Sequence, residues 1–179
     1  MKSLVAFTAL IALSLSPHVW ALPTPTDPWT PLGFLEGTWV AHTQGGSAAA
    51  QGNGTYTFKF ELKHHVLVRR SDSAACKGPE NYDCDHSDVL YVYRETEDQP
   101  LKAIYFDNEG HVIHYGVSTP DSTTAMFVSD VSPSGPQFRL VYQLNDAVMT
   151  GKFQMRMPGQ AEWKSYLEWS GAKDNNHSR

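Results

Sequence analysis

Between Thr55 and Leu62 the chain alternates without interruption, with Tyr56, Phe58, Phe60 and Leu62 on one side and Thr55, Thr57, Lys59 and Glu61 on the other. A period of two belongs to an extended strand, whose successive side chains point to opposite faces. Turning Lys59 and Glu61 inward would take two charges out of water, so the aromatic side is expected to face the core.

Runs rich in Val, Tyr, Phe and Thr follow at 65–72, 88–95, 101–107, 111–118, 123–130, 137–144, 147–157 and 162–170, and 37–43 precedes them. Their separators are turn sequences: Asp107-Asn108-Glu109-Gly110, Pro120-Asp121-Ser122, Pro133-Ser134-Gly135-Pro136, Asn145-Asp146 and Pro158-Gly159. Short turns make sequential strands antiparallel. A sheet of about ten such strands loses its exposed edges by closing on itself. The expected fold is therefore all-β, a single up-and-down antiparallel barrel of about ten strands, with a short N-terminal helical plug near Pro28 to Phe34. A β-sandwich is the alternative; its Greek-key crossings would need several long connections, and only the stretch holding Cys76 and Cys84 is long.

The length of 179 residues suits one domain rather than separate cofactor and substrate domains. Fourteen Lys and Arg against 19 Asp and Glu give a net charge of −5, the wrong sign for a partner with a phosphate backbone, so nucleic acid is not expected. Lys2, the apolar run Leu4 to Leu13 and the small residues Val19 and Ala21 read as a signal peptide over 1–21, leaving no membrane span after cleavage. A proline-rich leader over 22–30, the barrel over 31–173 and a disordered tail over 174–179 complete the expected organisation. Export to a secreted or periplasmic setting would join Cys76 and Cys84, the only cysteines, in a disulfide. No further Cys exists to complete a zinc site, and Asp83, Asp85, His86 and Asp88 read as a solvated acidic turn, because EF-hand spacing is absent.

Phe34-Leu35-Glu36-Gly37-Thr38-Trp39 resembles the opening of the calycin superfamily, the lipocalin-like and fatty-acid-binding-like barrels, in which a Gly-x-Trp on the first strand follows a short helical plug. Tyr105-Phe106-Asp107-Asn108-Glu109-Gly110-His111-Val112 is similar to the central hairpin of uncharacterised secreted bacterial lipocalin-like domains, with nitrobindin-like barrels more distant in appearance. The resemblance implies that Trp39 closes the barrel floor. Where those barrels stack an Arg of the last strand on this Trp, the chain has Lys164 and Lys173. Haem-binding nitrobindin-like barrels carry an axial His near the C-terminal end of the barrel; 162–170 has none, so neither haem nor any other cofactor is expected.

A ten-strand barrel is wide enough for a small ligand. The residues expected to line its lumen are Trp39, Tyr56, Phe58, Phe60, Arg69, Tyr91, Tyr93, Tyr105, His114 and Tyr142, with Phe138, Phe153 and Trp163 as further aromatic candidates. One of Arg69 and Arg70 must point inward, where it would meet a carboxylate or be held by tyrosine hydroxyls. His111 and His114 are three apart on one strand, so they face opposite ways and cannot share a metal; no metal is expected. No Gly-x-Ser-x-Gly elbow or phosphate loop occurs, and no catalytic residue stands out. The reading is a binding module for a small hydrophobic or aromatic molecule. A small lyase or isomerase using the same cavity, and a packed barrel acting through its loops on another protein, are the alternatives.

Overall fold

The computed structural model describes residues 27–46, 51–77 and 84–175. The expected signal peptide, most of the leader and the last four residues of the tail lie outside the described residues. A 3₁₀ turn at Thr30–Leu35 leads into ten strands: β1 (Gly37–Gly45), β2 (Gln51–Glu61), β3 (Val66–Lys77), β4 (Ser87–Tyr93), β5 (Lys102–Asp107), β6 (Val112–Asp121), β7 (Thr124–Ser129), β8 (Gln137–Asn145), β9 (Val148–Arg156) and β10 (Lys164–Lys173). Each strand pairs antiparallel with the next, and β10 returns to β1, which closes the barrel. Closure gives every strand two partners, so the edge problem is absent.

Antiparallel succession places the connections alternately at two ends. The 3₁₀ turn shares one end with the tight turns at 62–65, 122–123 and 146–147; the opposite end carries residues 84–86 and the connections at 108–111, 130–136 and 157–163. Proline at the start of the 3₁₀ turn supplies a fixed φ where no backbone donor is needed. Leu32 and Leu35 are fully buried, and the Trp39 indole Nε1 donates to the carbonyl of Leu35 at 2.9 Å. Lys173 Nζ lies 5.6 Å from the Trp39 ring centroid, a cation over an aromatic face.

The β2 alternation runs as expected for Tyr56, Phe58 and Phe60, which point into the core cluster. Leu62 departs from it: β2 ends at Glu61, and Leu62, Lys63 and His64 adopt positive φ of 49°, 57° and 67° in the turn, leaving Leu62 exposed. Tyr142 of β8 stands at the centre of the interior, its ring 5.1 Å from Phe58, 5.7 Å from Tyr56 and Trp169, and 6.2 Å from Phe127. The contacts with Phe58, Tyr56 and Trp169 reach strands that do not neighbour β8 in the sheet, so aromatic rings fill the barrel at this level. Gly151 of β9 makes that possible, because a Cβ there would overlap the Trp169 indole.

Cys76 and Cys84 form the expected disulfide, with Cα atoms 5.3 Å apart. No helix among the described residues is long and apolar enough to cross a membrane.

Candidate functional site

Leu67, Arg69 and Ser71 occupy the inner positions of β3, and Asp88, Leu90 and Val92 those of β4, in a register that sets Arg69 opposite Leu90 and Ser71 opposite Asp88. Arg69 thus enters the core and Arg70 faces water. The Arg69 guanidinium donates to Asp88, whose second carboxylate oxygen accepts from the Ser71 hydroxyl at 2.8 Å. Burial is the largest single influence and works against the Arg69 charge, but Asp88 and the surrounding tyrosines Tyr142, Tyr105 and Tyr56 together outweigh it and hold the guanidinium's pKa above its ordinary value. Burial likewise pushes the Asp88 carboxyl upward, yet Arg69, with hydrogen bonds from His86 and Ser71, keeps it below the usual carboxylate range.

Aromatic faces complete the surroundings of Arg69. Its guanidinium carbon lies 5.6 Å from the Tyr56 ring centroid and 5.8 Å from that of Tyr142. The hydroxyls of Tyr56 and Tyr142, Trp169 Nε1 and Arg69 Nε are all buried without a hydrogen-bond partner among the described residues. Burial pushes the Tyr56 phenol up to about 12; the Trp169 N–H approaches closely enough to draw it partly back, though not in hydrogen-bonding geometry. Tyr142 and Tyr115 are also raised, chiefly by burial, so these phenols are neutral.

Toward the end bearing the 108–111 turn the interior becomes titratable. Tyr105 of β5 donates to Asp107 at 3.2 Å and its hydroxyl lies 3.3 Å from His86 Nε2. His86 also faces Asp88 at 3.5 Å and Glu109 at 3.3 Å. Its hydrogen bond to Asp88 is the largest reason that its pKa rises above 6.5. Ligand atoms of Asp107, Glu109 and His111 lie within 4.8 Å of one another. Asp107 is occupied, however: it accepts from the backbone N–H groups of Glu109 and His111 and contacts His111 Nδ1 at 2.9 Å, which closes the β5–β6 turn. The group therefore serves the hairpin.

No known family model matches the chain, and no curated protein is similar enough to stand as a relative.

The structure brings together Trp39, Tyr56, Phe58, Arg69, Tyr105 and Tyr142 on the inner face, with half-buried Phe60, Phe138 and Phe153 packed against the same core. It does not bring in Tyr91, Tyr93, His114 or Trp163. On β4 the alternation that buries Leu90 and Val92 turns Tyr91 and Tyr93 outward. On β6, Tyr115 pairs with inward Ala103, which leaves His114 exposed on the outer wall. Trp163 lies in the 157–163 connection, against two arginines outside the barrel.

Asp88 corrects the reading of its segment as a solvated turn: it is the first inner residue of β4, with its side chain 5% exposed. The signal was present, since Asp88, Leu90 and Val92 share a parity, and a carboxylate on an apolar face needs a buried cation. Trp169 was missed as well; it shares a parity with Leu167 on β10.

Proposed function

We propose that the chain is an exported barrel that binds a small molecule in its interior, beside Arg69, Tyr56, Tyr142 and Trp169, with the 3₁₀ turn closing one end and entry from the other. One observation carries this reading: the buried Arg69 guanidinium's own Nε–H and, on the rings packed around it, the Tyr56 and Tyr142 hydroxyls and the Trp169 N–H have no hydrogen-bond partner among the described residues. Each such group costs about 1–3 kcal/mol when it stays unpaired, so a ligand supplying acceptors gains that energy on binding. The aromatic faces favour a flat or apolar body, and the unspent donors favour an acceptor at one end of it. The rings that fill the barrel keep the ligand small. Export is supported by the disulfide and the N-terminal sequence pattern.

A packed barrel acting through its loops is the second reading, favoured by the ring contacts that span the interior. Native mass spectrometry of protein purified from its own source separates the two. A bound mass released on denaturation, and lost in Tyr142→Phe, is the expected result. Tyr142→Phe deletes a hydroxyl that has no protein partner, so the ligand-stripped variant should be as stable as the parent or more so. Absence of any bound mass from the parent protein would overturn the binding reading and leave the packed barrel.

A further inference from the structure

The outer wall over β8, β9 and β10 carries a second cluster, separate from the interior and independent of the reading given for it. In the β8–β9 register Arg139 faces Gln154 and Gln137 faces Arg156, so the two arginines are diagonal neighbours on one face. Each is held by the glutamine opposite. Arg139 Nε donates to Gln154 Oε1 at 2.8 Å, and Arg156 Nη2 donates to Gln137 Oε1. The glutamines are buried and anchored in turn: Gln137 Nε2 donates to the Ser129 carbonyl at 2.7 Å, and Gln154 Nε2 to Ser165 Oγ at 3.2 Å. Trp163 comes up from the 157–163 connection, with its ring centroid 4.5 Å from the Arg139 guanidinium carbon and 4.7 Å from that of Arg156.

Two positive charges are thus gathered and oriented with nothing to balance them. No Asp or Glu among the described residues comes within ion-pairing distance of either guanidinium, in a chain with more acidic than basic residues. Partial burial first, and the Arg156 charge after it, lower the Arg139 pKa. Each guanidinium has five N–H donors, of which the glutamine bond uses one. Both remain half-exposed. The planar fork that is left matches two oxygens of a tetrahedral oxyanion, and two forks match a dianion.

We propose that Arg139, Arg156 and Trp163 form an anion site on the outer wall that takes a phosphate-type dianion, either in solution or on a lipid headgroup. Titration of the ¹⁵N-labelled chain with inorganic phosphate at low ionic strength tests this, read on the two arginine Nε–H resonances and the Trp163 indole N–H. Saturable shifts centred on these three residues, weakening as salt is added, are expected. Arg156→Gln or Arg139→Gln should weaken binding by about tenfold or more, and Arg139→Lys should recover only part, because an ammonium lacks the fork. Sedimentation with phosphatidic acid vesicles, set against phosphatidylcholine alone, separates the sources: co-sedimentation on the acidic vesicles assigns the phosphate to a headgroup, and its absence assigns it to a soluble molecule. Shifts that grow linearly without saturation, or that saturate elsewhere on the barrel, would overturn the site. If a Gln variant does not fold, the location and saturation of the wild-type shifts decide alone.

Discussion

Arg69 and Asp88, nineteen residues apart on neighbouring strands, close an ion pair inside the barrel, with side chains 9% and 5% exposed. Such a pair is costly to assemble and far costlier to leave half-made, because a lone buried charge has no solvent to turn to. It therefore acts as a register lock for β3 against β4: a one-residue slip of β3 would put Arg70 inside in place of Arg69, and one of β4 would turn Asp88 out.

Asp88→Asn should destabilise the fold by about 3–5 kcal/mol, since it leaves the Arg69 guanidinium buried and unpaired. The double variant Arg69→Met, Asp88→Leu should lose less than Asp88→Asn alone. Urea denaturation of the three proteins checks both statements; equal losses in the single and double variants would show that the pair carries no special weight.

Stability should peak in mildly acidic solution. His86, whose pKa is raised by Asp88 and then by Glu109, stabilises fully below its ordinary 6.5 and loses that contribution as pH climbs through its higher folded value. Asp88, held below its ordinary 3.8, contributes above that value and loses its share as pH falls through the lower folded one. Melting temperatures across pH 3 to 9 should flatten on the alkaline side in His86→Gln. An unchanged alkaline slope in that variant would assign the loss to another group.

Gly151→Ala should lower stability by about 1–3 kcal/mol or more, because the added methyl meets the Trp169 ring in a filled interior. Trp169→Phe introduced alongside it should recover part of the loss. Additive losses in the double variant would argue against a shared clash.

Replacing both Cys76 and Cys84 with Ser should cost about 2.5 kcal/mol, the entropy of opening so short a loop. Thiol labelling of the denatured, unreduced protein should find no reactive thiol. Because the bridge lies beyond the inner residues Leu67, Arg69 and Ser71 of β3, binding of the proposed interior ligand should survive its removal.

The strand pattern was readable because of its period. Thr55 to Glu61 carries charges on one side and rings on the other, and burial energetics allow one orientation. β4 and β5 are different. SDVLYVY and KAIYFD carry large apolar residues on both faces, with a charged residue at one end of a face, so alternation alone cannot say which tyrosines go in. Once Tyr142, Tyr56, Phe58 and Trp169 occupy the interior, the smaller Leu90 and Val92 face it and Tyr91 and Tyr93 face out.

Local sequence determined what each segment could do by itself. It set extended backbone from two-residue alternation, reversals from Pro, Gly, Asn and Asp, and a bridge from a lone cysteine pair in an export pattern. Tertiary structure decided what depends on residues far apart in the chain: that Arg69 rather than Arg70 is inside, that its partner is Asp88, that Tyr142 meets both Phe58 and Trp169, and that His114 is on the wall. The physical reason is that a strand's two faces are equivalent until a neighbour fixes its register. Closure of β10 onto β1 then fixes every register at once.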